Sequence, residues 1–290
     1  MNFIKKRIIY VLIFFITVSL GLAVFVYLYN PEKQLKVNFL DVGQGDSVLI
    51  QTPYDQNILI DGGDTDSKVL RQLSKFMSFW DKEIDLMIVS HPHDDHVGGL
   101  VKVVQRYKVK KILYTGVSHY SPAYLAWLSA VRDKNIEVVI IDRPQTIELG
   151  ENLYFDILYP FESLLNQEVD NLNNSSIVIK LIYKNKKFLL AGDIEKEVEE
   201  KLLDTKINLV ADVFKANHHG SITSNTEEFL EAVAPEYAII QVGEDNDFGH
   251  PSLRVLKRFE RLGIEYYRND LNGWMQVVSD GEDMDVVTER

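Results

Sequence analysis

Cysteine is absent from all 290 residues, which removes disulfide frameworks and thiolate ligation together, so any metal held here must sit on nitrogen and oxygen. Such donors admit zinc, manganese or iron. A chain without cysteine suits an extracytoplasmic place in a cell that makes no disulfides there, and equally a cytosolic one. Basic charge is scarce as well. The formal charge is −12, and since residues 1–30 hold Lys5, Lys6 and Arg7 with no acid, the remainder stands at −15. A surface that acidic repels polyphosphate at long range and counts against binding nucleic acid by counterion release, though a local basic groove remains compatible with it. Internal repeats and low-complexity tracts are missing too. Hydrophobic residues make up 46% of the chain, enough to bury a full core in one large domain or two small ones.

What is present begins with a membrane signal. Residues 8–29 carry no charge, and at 1.5 Å per residue they make about 33 Å of helix, enough to span a bilayer. The run exceeds a signal-peptide core, and no small-x-small cleavage site precedes Asn30, so a retained anchor is expected over residues 1–30. Lys5, Lys6 and Arg7 place the N-terminal end in the cytoplasm, with Lys33 and Lys36 weakening the asymmetry. The expectation is a single-pass membrane protein with its body, residues 35–290, outside the cytoplasm.

The stretch around which that body is organised is Ser90-His91-Pro92-His93-Asp94-Asp95-His96-Val97-Gly98-Gly99, which contains three of the seven histidines. It follows a strand-like run over residues 84–89 and precedes a helical pattern through Tyr107, so its ligands sit on a strand-to-helix loop. Imidazoles at 91 and 93 point the same way, whereas Asp95 and His96, on the turn into the helix, face a second point beside the first. That arrangement suits two adjacent divalent ions.

Other strand ends carry similar chemistry. A strand over residues 36–40 runs into Asp41-Val42-Gly43-Gln44-Gly45-Asp46-Ser47, whose glycines permit close backbone approach. The strand at 57–60 ends in Asp61-Gly62-Gly63, a carboxylate placed to orient a ligand. An apolar strand delivers Asp193, positioned to bridge two ions, and the strand at 211–216 ends in Asn217-His218-His219-Gly220. Another runs into Gly249-His250-Pro251. His119 reads as an ordinary surface residue. Helices are expected over residues 67–80, 122–134 and 195–203, and hairpin strands over 146–149, 153–159, 176–183 and 187–191, with a turn at Lys184-Asn185-Lys186. Mixed sheets flanked by helices, an α/β (α+β) layered domain, follow from this order.

Taken together these residues resemble the metallo-β-lactamase superfamily, through His-x-His-x-Asp-His at 91–96 with Asp61 before it and Asp193 after it. The further blocks Asp41 to Asp46, Asn174-Ser175-Ser176, Gly192-Asp193, His218 to Ser221 and Gly249-His250-Pro251 resemble the hydrolase domain of ComEC-type DNA-uptake competence proteins. Phosphorylcholine esterases share several of these blocks. The likeness runs over residues 35–273 and implies an αββα sandwich with a dinuclear site on one edge. It also implies two divalent ions, zinc or manganese: His91 and His93 on the first, Asp95, His96 and His219 on the second, and Asp193 between them. Many family enzymes place a further histidine where this chain has Asn173-Asn174-Ser175, which points to a loose first site or a preference for manganese. The many-helix channel of the competence proteins has no counterpart in this sequence.

The expected activity is metal-dependent hydrolysis of phosphodiesters, with Asp95 and His250 catalytic and Asp41, Asp46, Asp61, Asn174 and His218 orienting ligands or meeting substrate. Single-stranded DNA or a phosphorylated envelope polymer are the substrate classes considered. β-Lactam or other carboxyl-derivative hydrolysis, and a binding module that keeps the fold without catalysis, are the competing readings, since fold alone does not separate them.

Overall fold

A computed structural model describes residues 3–28 and 34–290. Of the expected joint at residues 30–34 only Gln34 is among them, and Tyr29 also lies outside the described residues. The chain divides into two units, Met1–Lys33 and Gln34–Arg290. In the first, helix α1 (Phe3–Leu28) contains a stretch, Lys5–Phe25, long and apolar enough to cross a membrane, and none of that stretch is buried against protein.

The second unit opens with β1 (Leu35–Phe39), β2 (Val48–Gln51) and β3 (Asn57–Ile60), then α2 (Lys68–Phe76), the short β4 (Glu83–Ile84) and β5 (Leu86–Ile88). There follow α3 (Asp94–Val97), α4 (Leu100–Arg106), β6 (Lys108–Val109), β7 (Lys111–Tyr114), α5 (Pro122–Asp133) and β8 (Glu137–Ile140). The rest runs β9 (Gln145–Gly150), β10 (Leu153–Tyr159), β11 (Val178–Tyr183), β12 (Lys186–Leu190), α6 (Lys196–Asp204), β13 (Val213–Lys215) and α7 (Glu227–Val233). It closes with β14 (Tyr237–Ile240), α8 (Leu253–Leu262), β15 (Glu265–Arg268), α9 (Asn269–Asn272), β16 (Met275–Ser279) and β17 (Met284–Thr288).

Two large sheets result, in the orders β17-β16-β1-β2-β3-β5-β7-β8 and β15-β14-β13-β12-β11-β10-β9. Each is antiparallel where hairpins connect its strands and parallel where a helix intervenes, as at β3–β5–β7 and β12–β13–β14. That follows from the connections, because a parallel neighbour needs a crossover long enough to hold a helix. The inner faces meet in one apolar layer, with Val37, Phe39 and Ile50 from the first sheet against Phe155, Leu181 and Phe188 from the second. Outside, α2, α4 and α5 cover the first sheet through Val69, Leu100 and the fully buried Trp127. The second is covered by α6, α7 and α8 through Leu202, Phe229 and Phe259. The mixed α/β sandwich expected from the sequence is thus the one observed.

Local boundaries differ from expectation where tertiary contacts decide them. The helix expected over 67–80 stops at Phe76, and Gln51 Nε2 donates to the Phe76 carbonyl, tying that end to β2. The β11–β12 turn is two residues long, with Lys184 at φ 51°. The chain's last strands return to the start: β16 pairs with β1 from Leu35↔Ser279 to Phe39↔Met275.

Candidate metal centre

Each strand that ends at the site hands over a loop carrying donors, and the loops are locked together by backbone hydrogen bonds. Gly62 N donates to the His96 carbonyl at 2.7 Å, Gly63 N to the Asp46 carbonyl at 2.8 Å, and Gly99 N to the Gly63 carbonyl at 3.0 Å. Gly45 lies at φ +113°, and a Cβ there would stand 2.0 Å from the Asp95 carbonyl oxygen. The bare backbone at this position is therefore what lets the Asp41–Ser47 loop close over the short helix α3.

The imidazoles are held by their outer nitrogens. His96 Nδ1 lies 2.9 Å from Asp61 Oδ2, and Asp61 also accepts from Ser90 N at 2.8 Å and Ser90 Oγ at 2.6 Å. His219 Nδ1 donates to the Gln241 carbonyl at 2.8 Å, which leaves its Nε2 unprotonated when the ring is neutral. That Nε2 is buried and lacks a hydrogen-bond partner although Asp95 Oδ2 and Asp193 Oδ2 are each 3.2 Å away. The nitrogen is equidistant from the two carboxylate oxygens. This unpartnered, buried nitrogen fits a divalent ion, as does the nitrogen and oxygen donor set.

Donor atoms of Asp95, His96 and His219 lie within 4.8 Å of one another, as do those of His91, His96 and Asp193, and those of Asp46, Asp193 and His219. His93 joins through His91, with His93 Nδ1 at 3.0 Å from His91 Nε2. The electrostatics follow the same geometry. Burial disfavours charge on His96 and His219, yet Asp193 foremost lifts both well above the ordinary imidazole range. Burial opposes charge on Asp193 too, but His219, Lys215 and His96 hold it well below the usual carboxylate range. Burial, with the like charge of His96, pushes His91 far down, and His93 less so. Carboxylates that draw protons onto two imidazoles in this way will equally hold divalent cations.

Lys215 was not singled out by the sequence. It is buried at the end of β13, with Nζ donating to the Gly192 carbonyl at 2.9 Å and to Asp193 Oδ1 at 3.1 Å, and pairing closely with Asp46 Oδ2. Asp193 therefore turns one oxygen to Lys215 and the other, Oδ2, towards His96 and His219. The loop bearing His218 and His219, both at positive φ, is clamped from beneath by the buried Glu199. Its carboxylate accepts from Asn217 Nδ2 at 2.7 Å, Asn225 N at 2.6 Å and Thr226 N at 2.9 Å.

Above the cluster lies a cavity of about 580 Å³. His218 and His250 border it with ring centroids 5.4 Å apart, and Phe248 stacks on His250. Burial, helped by the like charges of His219 and His218, pushes His250 down to about 4. His119 is placed here too, 6.2 Å from the His93 ring, rather than on the open surface, so all seven histidines border the cavity or build the cluster below it. Two expected residues are not brought in. Asp41 lines a neighbouring cavity, where its carboxylate accepts from Gly43 N at 3.4 Å. Asn174 accepts from Glu195 N at 2.8 Å and donates to Glu197 at 3.2 Å, so its amide serves the start of α6. Asn173 is the nearer amide, 3.4 Å from His218 Nε2.

Replacing Lys215 by Met keeps the volume and leaves Asp46 and Asp193 buried without their cation. Breaking a buried pair from one side costs about 3–5 kcal/mol, so urea unfolding of the metal-free Lys215→Met chain is expected to show a loss of that size. Adding manganese or zinc should recover part of it; an unchanged midpoint would overturn the role given to Lys215.

Comparison with known proteins agrees with this geometry. The family model of the metallo-beta-lactamase superfamily matches residues 40–244. ComE operon protein 3 of Bacillus subtilis is 30% identical over 257 residues, covering 83% of this chain and 32% of that protein. Competence protein ComA of Neisseria gonorrhoeae is 28% identical, covering 85% of this chain and 32% of its own length. Recombination protein 2 of Haemophilus influenzae is 27% identical, covering 89% and 31%. These relatives are of the ComEC family, and the chain spans about a third of their length. Among solved structures, CmlA, a diiron beta-hydroxylase from Streptomyces venezuelae, matches with a TM-score of 0.55 at 15% identity, over 86% of this chain and 54% of that one, a likeness of fold alone. With more than half of its length matched, this chain belongs to the metallo-beta-lactamase superfamily.

Proposed function

We propose that this chain hydrolyses phosphodiester bonds at a site for two divalent ions, from a body anchored to the outer face of a membrane. The observation that carries the reading is the unpartnered His219 Nε2 beside Asp95 and Asp193, under a cavity bordered by six aspartates. No Lys or Arg is among the described residues that line that cavity. Divalent ions would add the positive charge that His96 and His219 alone do not bring against six aspartates. His91 and His93 would hold the first ion, Asp95, His96 and His219 the second, with Asp193 shared between them. Zinc or manganese bound there supplies a water acidified towards neutrality and a positive clamp for phosphate oxygens.

The chain's own residues do the rest. Asp61 and the Gln241 carbonyl fix the ring orientations of His96 and His219. Lys215 and the Gly192 turn hold Asp193. Asp95, reaching in from the open side, is the carboxylate placed to accept a proton from the attacking water. His250 touches the cavity without entering any of the ligand groups, so it is assigned to a phosphate oxygen or the leaving alkoxide. Single-stranded DNA and phosphorylated envelope polymers are the substrate classes to test, the first favoured by the competence relatives. The topology rests on Lys5, Lys6 and Arg7 at the N-terminal end of helix α1, ahead of its uncharged run.

With Asn174 turned to α6, the first ion has fewer donors than the second. Titration of the metal-free chain with manganese or zinc is expected to give two unequal steps, and two indistinguishable tight sites would sink this assignment. Asp193→Ala is expected to lose metal and activity on bis(p-nitrophenyl) phosphate together. His250→Ala should keep its metal by mass spectrometry and lose about 10²-fold in turnover. A metal-loaded chain inert on that diester and on single-stranded DNA, or one that prefers nitrocefin, overturns the phosphodiesterase reading. Protease added to intact spheroplasts should digest the body; its survival until the membrane is broken would reverse the orientation.

A further inference from the structure

The turn between α2 and β4 carries Phe79 and Trp80, which are 84% and 85% exposed, above every other large hydrophobic residue among the described ones. The turn is built rather than loose. Asp81 N donates to the Ser78 carbonyl at 2.9 Å, Asn57 Nδ2 donates to Asp81 at 2.8 Å, and Gln51 holds the Phe76 carbonyl. Two aromatic rings are thus fixed in water with no protein over them, at a cost in apolar exposure that a surface partner would remove.

Their surroundings carry both signs with basic residues in excess, Lys82, Arg106, Lys108, Lys110 and Lys134 against Asp81, Glu83 and Asp85, and Lys108 and Lys110 are paired with Glu83 and Asp85. Lys82 Nζ lies 5.6 Å from the Phe79 ring and 5.2 Å from that of Tyr107. Tyr107, Arg106, Lys108 and Lys134 line one cleft beside it, and neither Arg106 nor Lys134 forms an ion pair among the described residues. The place in the sheet matters as much. Lys36 pairs with Gln51 and Gln51 with Asn57, so β1 enters the sheet at the end that carries this turn, whereas His91 follows the far end of β5. Only six residues separate Leu28, the last of α1, from Leu35, and six residues reach about 20 Å at full extension. An acidic turn at residues 280–283 shares this end, but β16 is four strands from β5 in the sheet order, about 19 Å at the usual strand spacing. That exceeds the screening length of about 8 Å at physiological salt.

We infer that this end of the body is a lipid-docking surface, in which Phe79 and Trp80 enter the interface of an anionic bilayer while Lys82, Arg106 and Lys134 meet its headgroups. The inference rests on α1 crossing that bilayer and is independent of the reaction catalysed. Trp at the headgroup level, with lysines whose stems lie along apolar surface and whose ammonium groups stay wet, is the side-chain chemistry that partitions there. Docking in this way turns the loop of His91 to His96 away from the membrane. A second copy of this chain or a single-stranded nucleic acid stacked on the rings are the other occupants.

Because the chain has no cysteine, Ser78→Cys gives a unique attachment point for a nitroxide. Leu253→Cys, 74% exposed beside Pro251 and His250, gives a reference. The full chain is reconstituted in bilayers of phosphatidylcholine and phosphatidylglycerol, and accessibility to oxygen and to an aqueous nickel chelate is read by spin-label power saturation. The oxygen-to-nickel ratio at 78 is expected to be severalfold above that at 253, and to fall to the reference value when Phe79 and Trp80 are both replaced by Ser. Equal ratios in a chain that co-floats with vesicles overturn lipid docking and leave the anchor standing; a chain that does not co-float overturns both. Dipolar broadening at 78 that vanishes on dilution with unlabelled chain, without oxygen preference, would assign the surface to a second copy. Loss of nickel access only on adding single-stranded DNA would assign it to nucleic acid.

Discussion

Four carboxylates share one dry region, and holding them there is the constraint on which the site depends. Asp46, Asp61 and Asp193 are buried and Asp95 is half-buried. Lys215 supplies the one fixed ammonium among them, between Asp46 and Asp193. A single cation leaves the set negative, and burial makes uncompensated charge expensive. The balance falls to His96 and His219, either as imidazolium or as neutral ligands of divalent ions, and the geometry serves both states. Lys215 forms the floor, the rings form the walls, and Asp95 closes the open side.

That floor explains why the loops interlock so tightly. Asp46 reaches Lys215 only because the loop after β1 crosses over α3, and the crossing depends on Gly45 against the Asp95 carbonyl and on Asp46 N donating to that same oxygen at 3.2 Å. Glu199 does the corresponding work on the other sheet, satisfying three donors of the loop that carries His218 and His219. Two imidazoles at positive φ cost strain that only an over-determined loop can hold. Each half of the sandwich therefore contributes one glycine-shaped crossing or one carboxylate clamp.

Much of this was legible in the chain. Donors at strand ends, glycines beside them and the alternation of strand and helix predict a layered α/β sandwich, and the structure has it. Lys215 escaped because one charged residue at the end of an apolar strand reads as the place where the strand meets water; its burial exists only once Asp46, distant in sequence, is folded against it. His119 escaped for a related reason, since its neighbour His93 lies across a loop that no periodicity describes. Asn174 misled in the opposite direction. Three consecutive polar residues offer three side chains, and in the short helix Asn173–Ser175 both amides meet the start of α6, Asn174 at Glu195 N and Asn173 at the Glu195 carboxylate, with only Asn173 also near His218. The C-terminal strands gave no reading because their pairing partner, β1, lies at the other end of the body.

The cavity and the cluster beneath it share an excess of carboxylates. The cavity is bordered by Asp64, Asp94, Asp95, Asp193, Asp245 and Asp247, on a body of net negative charge, so an anion approaching from afar is repelled. Long-range repulsion is weakened by salt, whereas attraction to a buried divalent ion is screened far less. A cavity of this charge favours a cation over an anion, and divalent ions held by these carboxylates would turn the same cavity towards an anion.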